Sequence, residues 1–94
     1  MDERLKQRSG LQVRRVDDEM VVLDLASGQV HHLNRTARFI WSRFDGKASV
    51  AQIGEMVAQE FEVDPGVAAR DVTEVAQRLR GSGLLLVAET SRMD

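Results

Sequence analysis

The chain has 94 residues, 43% hydrophobic and 30% charged, with a formal net charge of −2. That balance describes one small globular domain with a single modest core. It contains no cysteine, which excludes disulfides, thiolate metal sites, iron–sulfur clusters and cysteine nucleophiles.

The acidic excess is the wrong sign for a general nucleic-acid binder, whose affinity comes largely from phosphate contacts. The opening residues 1–8 are charged, and no apolar signal core follows them. No run approaches the length of a membrane helix. The expectation is a cytoplasmic protein with neither nucleic acid nor membrane as partner.

In chain order, residues 1–10 lack periodicity and are expected to form a flexible N-terminal tail. Residues 11–88 are expected to form the domain, and 89–94 a flexible C-terminal tail. From Leu11 to Val16 the pattern alternates, then slips near Arg15, where a bulge would restore it. Asp17 and Asp18 mark a turn. Residues 20–25 are rich in branched side chains and suit a central strand. Ser27 and Gly28 signal a tight hairpin, and residues 29–33 return as a third strand.

The period then changes to that of a helix. Asn34 is an N-cap, and Ala37, Ile40, Trp41 and Phe44 form one apolar stripe that Asp45 and Gly46 terminate. Core packing is the default for Trp41. Ser49 with Gln52 makes a capping box for a second helix, whose buried stripe would be Val50, Ile53, Met56, Val57 and Phe61. Asp64 and Pro65 start a third helix carrying Ala68, Val72, Val75, Ala76 and Leu79 inward, up to Gly81–Gly83. Residues 84–88 are a short apolar extension. Three strands followed by three helices define an α+β domain, with the helices over one sheet face.

No constellation supports catalysis. His31 and His32 are the two histidines. As strand neighbours they point to opposite faces and do not chelate one metal. Ser27, Ser42, Ser49, Ser82 and Ser91 are accounted for by turns, caps, helix surface or tails, and none sits in a nucleophile elbow. Glu55, Glu60 and Glu62 belong to the solvated face of the second helix. Gly81–Gly83 follows a helix instead of preceding one, the wrong end for cradling phosphate. Neither a cofactor nor a metal is expected. Arg70, Asp71, Glu74, Arg78 and Arg80 flank the third helix with both signs of charge. That rim suits an ordinary amphipathic helix with i, i+4 pairs, and equally the border of a peptide groove.

Several segments in this order carry a resemblance. They are Val21-Val-Leu-Asp-Leu-Ala-Ser-Gly28; Val30-His-His-Leu-Asn34 running into Thr36-Ala37 and Ile40-Trp41; Asp45-Gly46 with Ser49-Val-Ala-Gln-Ile53; and Asp71-Val72, Leu79 and Gly83-Leu84. Together, over roughly Val13 to Leu85, they resemble the PqqD-like family, the recognition elements for precursors of ribosomally made, post-translationally modified peptides.

The resemblance implies a winged-helix-like domain with a three-stranded antiparallel sheet and three helices. It implies no catalysis and no cofactor. It implies a precursor leader peptide as partner, added as a strand beside the third strand and laid against the third helix. A partner modifying enzyme or leader peptidase would receive that peptide. Carried onto this chain, the peptide-binding residues are Val30, His31, His32 and Leu33 on the strand, with Asp71, Glu74, Val75, Arg78 and Leu79 on the helix. The hairpin Leu-Asp-Leu-Ala-Ser-Gly is more similar to stand-alone members of lasso-peptide clusters than to those devoted to pyrroloquinoline quinone. The alternative from another class is a winged-helix DNA-binding regulator, which the mixed-sign third helix and acidic balance disfavour.

Overall fold

The structure is a computed structural model and describes residues 4–88. Its elements run β1 (Arg4–Gln7), β2 (Leu11–Val16), β3 (Glu19–Asp24), β4 (Gln29–Leu33), α1 (Arg35–Ser42), β5 (Asp45–Ser49), α2 (Val50–Phe61), α3 (Pro65–Gly81) and β6 (Leu85–Val87). The fold is α+β, with the expected meander β2-β3-β4 and three helices. A second antiparallel sheet, ordered β5-β1-β6, was not expected.

The local signals hold. The Asn34 side chain accepts the Ala37 amide at 2.8 Å. Ser49 and Gln52 complete the reciprocal box at 3.1 and 2.8 Å. Asp64 caps α3 through the Gly66 amide, with Pro65 at the first helical position. Behind these caps Ile40, Trp41, Phe44, Ile53, Val57, Ala68, Val72, Ala76 and Leu79 meet Val22 and Leu33 of the meander in one core.

Several expectations are corrected. Residues 4–7 are not tail: β1 is the central strand of the second sheet, and Leu5 is buried in the core. Residues 1–3 and the expected tail 89–94 lie outside the described residues. There is no bulge at Arg15, because β2 pairs with β3 without interruption from Leu11↔Asp24 to Val16↔Glu19. The alternation fails there because β2 is a sheet edge, exposed from Gln12 to Val16, so neither face demands apolar residues. Asp45 and Gly46 do not end α1; the helix stops at Ser42, and they open β5, with Gly46 at φ +83°. The extension at 84–88 becomes β6, pairing Leu85 with Gln7.

On α2, Met56 is exposed and Gly54 is buried instead. A Cβ at Gly54 would lie 3.5 Å from the Ala69 Cα, so glycine lets α2 and α3 approach closely. Phe39 and Phe61, edge to face at 5.4 Å, brace α1 against α2. Arg35 covers the Phe61 ring at 5.0 Å and Arg43 the Phe39 ring at 4.3 Å.

Candidate functional site

Among the described residues the meander order leaves β4 paired on one side only, with β3, in the register Met20↔Leu33 to Asp24↔Gln29. Its other edge is an unpaired row of backbone donors and acceptors. Facing that edge lies α3, and two adjoining clefts run between them. One, of about 420 Å³, is lined by Glu19, His32, Asn34, Thr36, Ala37, Asp71, Glu74, Val75 and Arg78. The other, of about 260 Å³, is lined by Val30, His31, His32, Arg78, Leu79 and Ser82. His32 and Arg78 border both.

The strand and helix residues named from sequence thus lie around one groove, with one exception. Val30, His31 and His32 border the same clefts as Asp71, Glu74, Val75, Arg78 and Leu79, and the register turns the Val30 and His32 side chains to the sheet face opposite that of His31 and Leu33. Leu33 is different: its side chain is fully buried in the core, and what it brings to the groove edge is backbone. Val75 and Asp71 are half-buried while Glu74 and Arg78 are exposed, so the groove is mainly polar, with Val75 as an apolar patch and a rim of both charge signs. The His31 Nε2 is buried without a hydrogen-bond partner among the described residues.

The sequence reading missed Glu19, Asn34, Thr36, Ala37 and Ser82 as groove residues, having placed Ala37 only on the core stripe of α1. Asn34 already had a role as a cap, and Ser82 had one at the end of α3. Nothing local marks Thr36 or Glu19 as groove residues, since α1 and the start of β3 reach the site by tertiary packing.

One electrostatic anchor holds the β3–β4 hairpin. The Asp24 carboxylate lies 2.7 Å from the Arg8 guanidinium. It also accepts the Ala26 amide at 3.0 Å. The Arg8 hydrogen bond, with help from Ser27 and Ala26, holds the Asp24 carboxyl below its ordinary range against the opposing effect of burial.

A further cleft of about 420 Å³ lies on the other flank of α3, lined by Leu5, Val50, Ala51, Ala69, Thr73 and Ala76 among others. It is more apolar but lies beside the central strand β1, not beside an open strand edge. A backbone ladder for an extended guest therefore requires the β4 side. Among the described residues no cluster of histidine, aspartate and glutamate is arranged to hold a metal. No helix there is long and apolar enough to cross a membrane.

Comparison with known proteins agrees with this geometry. Residues 19–85 match the family described as Coenzyme PQQ synthesis protein D (PqqD). A PqqA binding protein of Xanthomonas axonopodis pv. citri (strain 306) is 36% identical over 86 residues, covering 89% of this chain and 91% of that protein. The PqqA binding protein of Xanthomonas oryzae pv. oryzae (strain PXO99A) is 36% identical over 75 residues, covering 80% of this chain and 79% of its own. Among solved structures, a lasso peptide synthetase B1 complexed with the leader peptide superimposes with a TM-score of 0.77 at 32% identity, over 87% of this chain and 96% of that one. TbiB1 in complex with the TbiA(beta) leader peptide shares the fold, with a TM-score of 0.75 at 23% identity, over 93% and 99% of the two chains. With the family match spanning β3, β4, all three helices and the groove between β4 and α3, the chain belongs to the PqqD family.

Proposed function

We propose that this protein binds the leader of a ribosomally made precursor peptide as an added strand on β4 and hands it to a modifying enzyme, without chemistry of its own. The observation that carries the reading is the open β4 edge set across a groove from α3. An extended guest satisfies the edge amides and carbonyls, which gives affinity with little demand on sequence. Guest side chains on the α3 side then meet the half-buried Val75 and Asp71 and the exposed Glu74 and Arg78, with Leu79 packed behind them, which supplies selectivity. The relatives' names, PqqA binding protein and lasso peptide synthetase B1 with its leader, describe proteins that bind such peptides. The receiving enzyme would be a leader peptidase, a cyclase or a radical enzyme, acting in the cytoplasm where the precursor is made.

The test is an amide-shift titration with synthetic leader peptides of PqqA-type and lasso-type precursors. Shifts should fall on Gln29–Leu33 and on 71–79, and binding should survive moderate salt. Shifts confined to α2, sparing both segments, would overturn the reading. Tight binding of a DNA duplex that collapses with salt would favour the regulator alternative.

A further inference from the structure

Resting on strand addition at β4, we infer that the bound peptide is recognised from both faces of the sheet, and that Val30 builds a second subsite on the face away from α3. The register divides the meander into two faces. Val22 pairs with His31 and Met20 with Leu33 on the core side, where Val22 and Leu33 are fully buried. On the other face Gln12, Leu23 and Val30 form one cross-strand row, and Arg14, Val21 and His32 the next.

That outer face carries Gln12, Arg14 and His32, but unlike the ordinary uncovered side of an antiparallel sheet it also holds the apolar group Val16, Val21, Leu23 and Val30. It holds a hollow of about 210 Å³ lined by Gln12, Arg14, Val16, Val21, Leu23 and Val30. Val30 is 52% exposed and Val16 53%. The row from Leu23 to Val30 is apolar and stops at the open edge of β4. A strand added there lies about 4.7–4.9 Å away, and its side chains alternate between faces. One of them therefore stands directly opposite Val30, with Cβ atoms about 4.5–5.5 Å apart.

The occupant is that guest residue. An apolar side chain, β-branched or aromatic, continues the Leu23–Val30 row and covers the exposed part of Val30. It sits at an odd spacing from the guest residues that face α3, whereas those are separated from one another by even spacings. The residue two positions along the guest meets His32 and tolerates a polar group. Selectivity thus resides in two interleaved sets of positions, one for each face.

The experiment uses a phage-displayed random dodecapeptide library panned on the full-length protein. One selected peptide whose amide-shift footprint falls on Gln29–Leu33 is synthesised with a fluorescein label and scanned with lysine at each position. Val30→Glu should weaken it roughly fivefold, the scale of one cross-strand apolar pair, with an unchanged melting temperature. Lysine at one outward position should restore binding to Val30→Glu, and lysine at the flanking positions should not. If the footprint is on β4 but Val30→Glu binds as the parent does and no position rescues, the second subsite is refuted while strand addition stands. If no selected peptide shifts the β4 amides, strand addition itself fails and the subsite with it.

Discussion

Arg8 joins two parts of the site that are distant in sequence: its guanidinium holds Asp24 at 2.7 Å while its Nε donates to the Gly83 carbonyl at 2.9 Å. Its own amide donates to the Leu84 carbonyl, also at 2.9 Å. Asp24 pairs with Gln29 at the start of β4, and Gly83 follows the end of α3. One side chain therefore ties the hairpin to the C-terminal end of the helix, the two walls of the groove. Arg8→Ala should weaken peptide binding several-fold while costing only about 1 kcal/mol of stability, in line with a partly exposed charged contact. Amide shifts at both Gln29 and Ser82 in the free variant would report the loosened walls; shifts at neither would show that Arg8 does not set their spacing.

The same pair makes stability depend on pH. Because the folded Asp24 carboxyl titrates below its ordinary value of 3.8, the ionised pair stabilises fully above that value. The contribution disappears as pH falls through the lower folded value. Asp24→Asn should therefore melt below the parent at neutral pH, and the two melting curves should converge as the pH drops under about 4. A gap that stays constant down to pH 2 would show that the ion pair contributes nothing.

Trp41→Ala should act on folding rather than on ligand. Trp41 is 2% exposed, and its carbonyl accepts from the Gln7 side chain at 2.9 Å. Truncating a buried tryptophan costs about 3–5 kcal/mol, a large share of the stability of a small domain. Thermal melts should fall by roughly 15 °C or more. A variant melting with the parent would place the indole outside the core.

Proline substitutions should separate the two sides of β4. Adjacent residues on an antiparallel edge send their amides in opposite directions, one toward β3 and one toward the guest. Of His31→Pro and His32→Pro, one should disrupt the native hairpin and lower the melting temperature. The other should keep the hairpin and lose a bond to the peptide. Circular dichroism and peptide anisotropy, measured together, assign each. Two folded variants that bind as the parent does would rule out augmentation at this edge.

Arg78 is exposed and borders both halves of the groove. Arg78→Glu should weaken an acidic peptide by about three- to fivefold, the range of a rim charge, and leave the melting temperature nearly unchanged. The difference should shrink at high salt. Equal affinity at low salt would remove Arg78 from the binding rim.

Sequence alone determined the elements whose signals are local. The caps at Asn34, Ser49 and Asp64, the helix stripes behind them and the β3–β4 hairpin all follow from bonds and periodicities within a few residues. Resemblance supplied both walls of the groove, because the family's motif segments coincide with β4 and α3. Only the tertiary structure decided the second sheet. Arg4–Gln7 has a single apolar residue, and Asp45–Ser49 has no β-branched one. Both become strands through pairing with each other and, for β1, with Leu85–Val87. The tertiary structure also placed Leu33 in the core rather than in the groove, and brought Glu19 and Thr36 to its border. The reason is physical: a strand's free edge and a helix's rotation are set by whatever packs against them, and those partners lie far away along the chain.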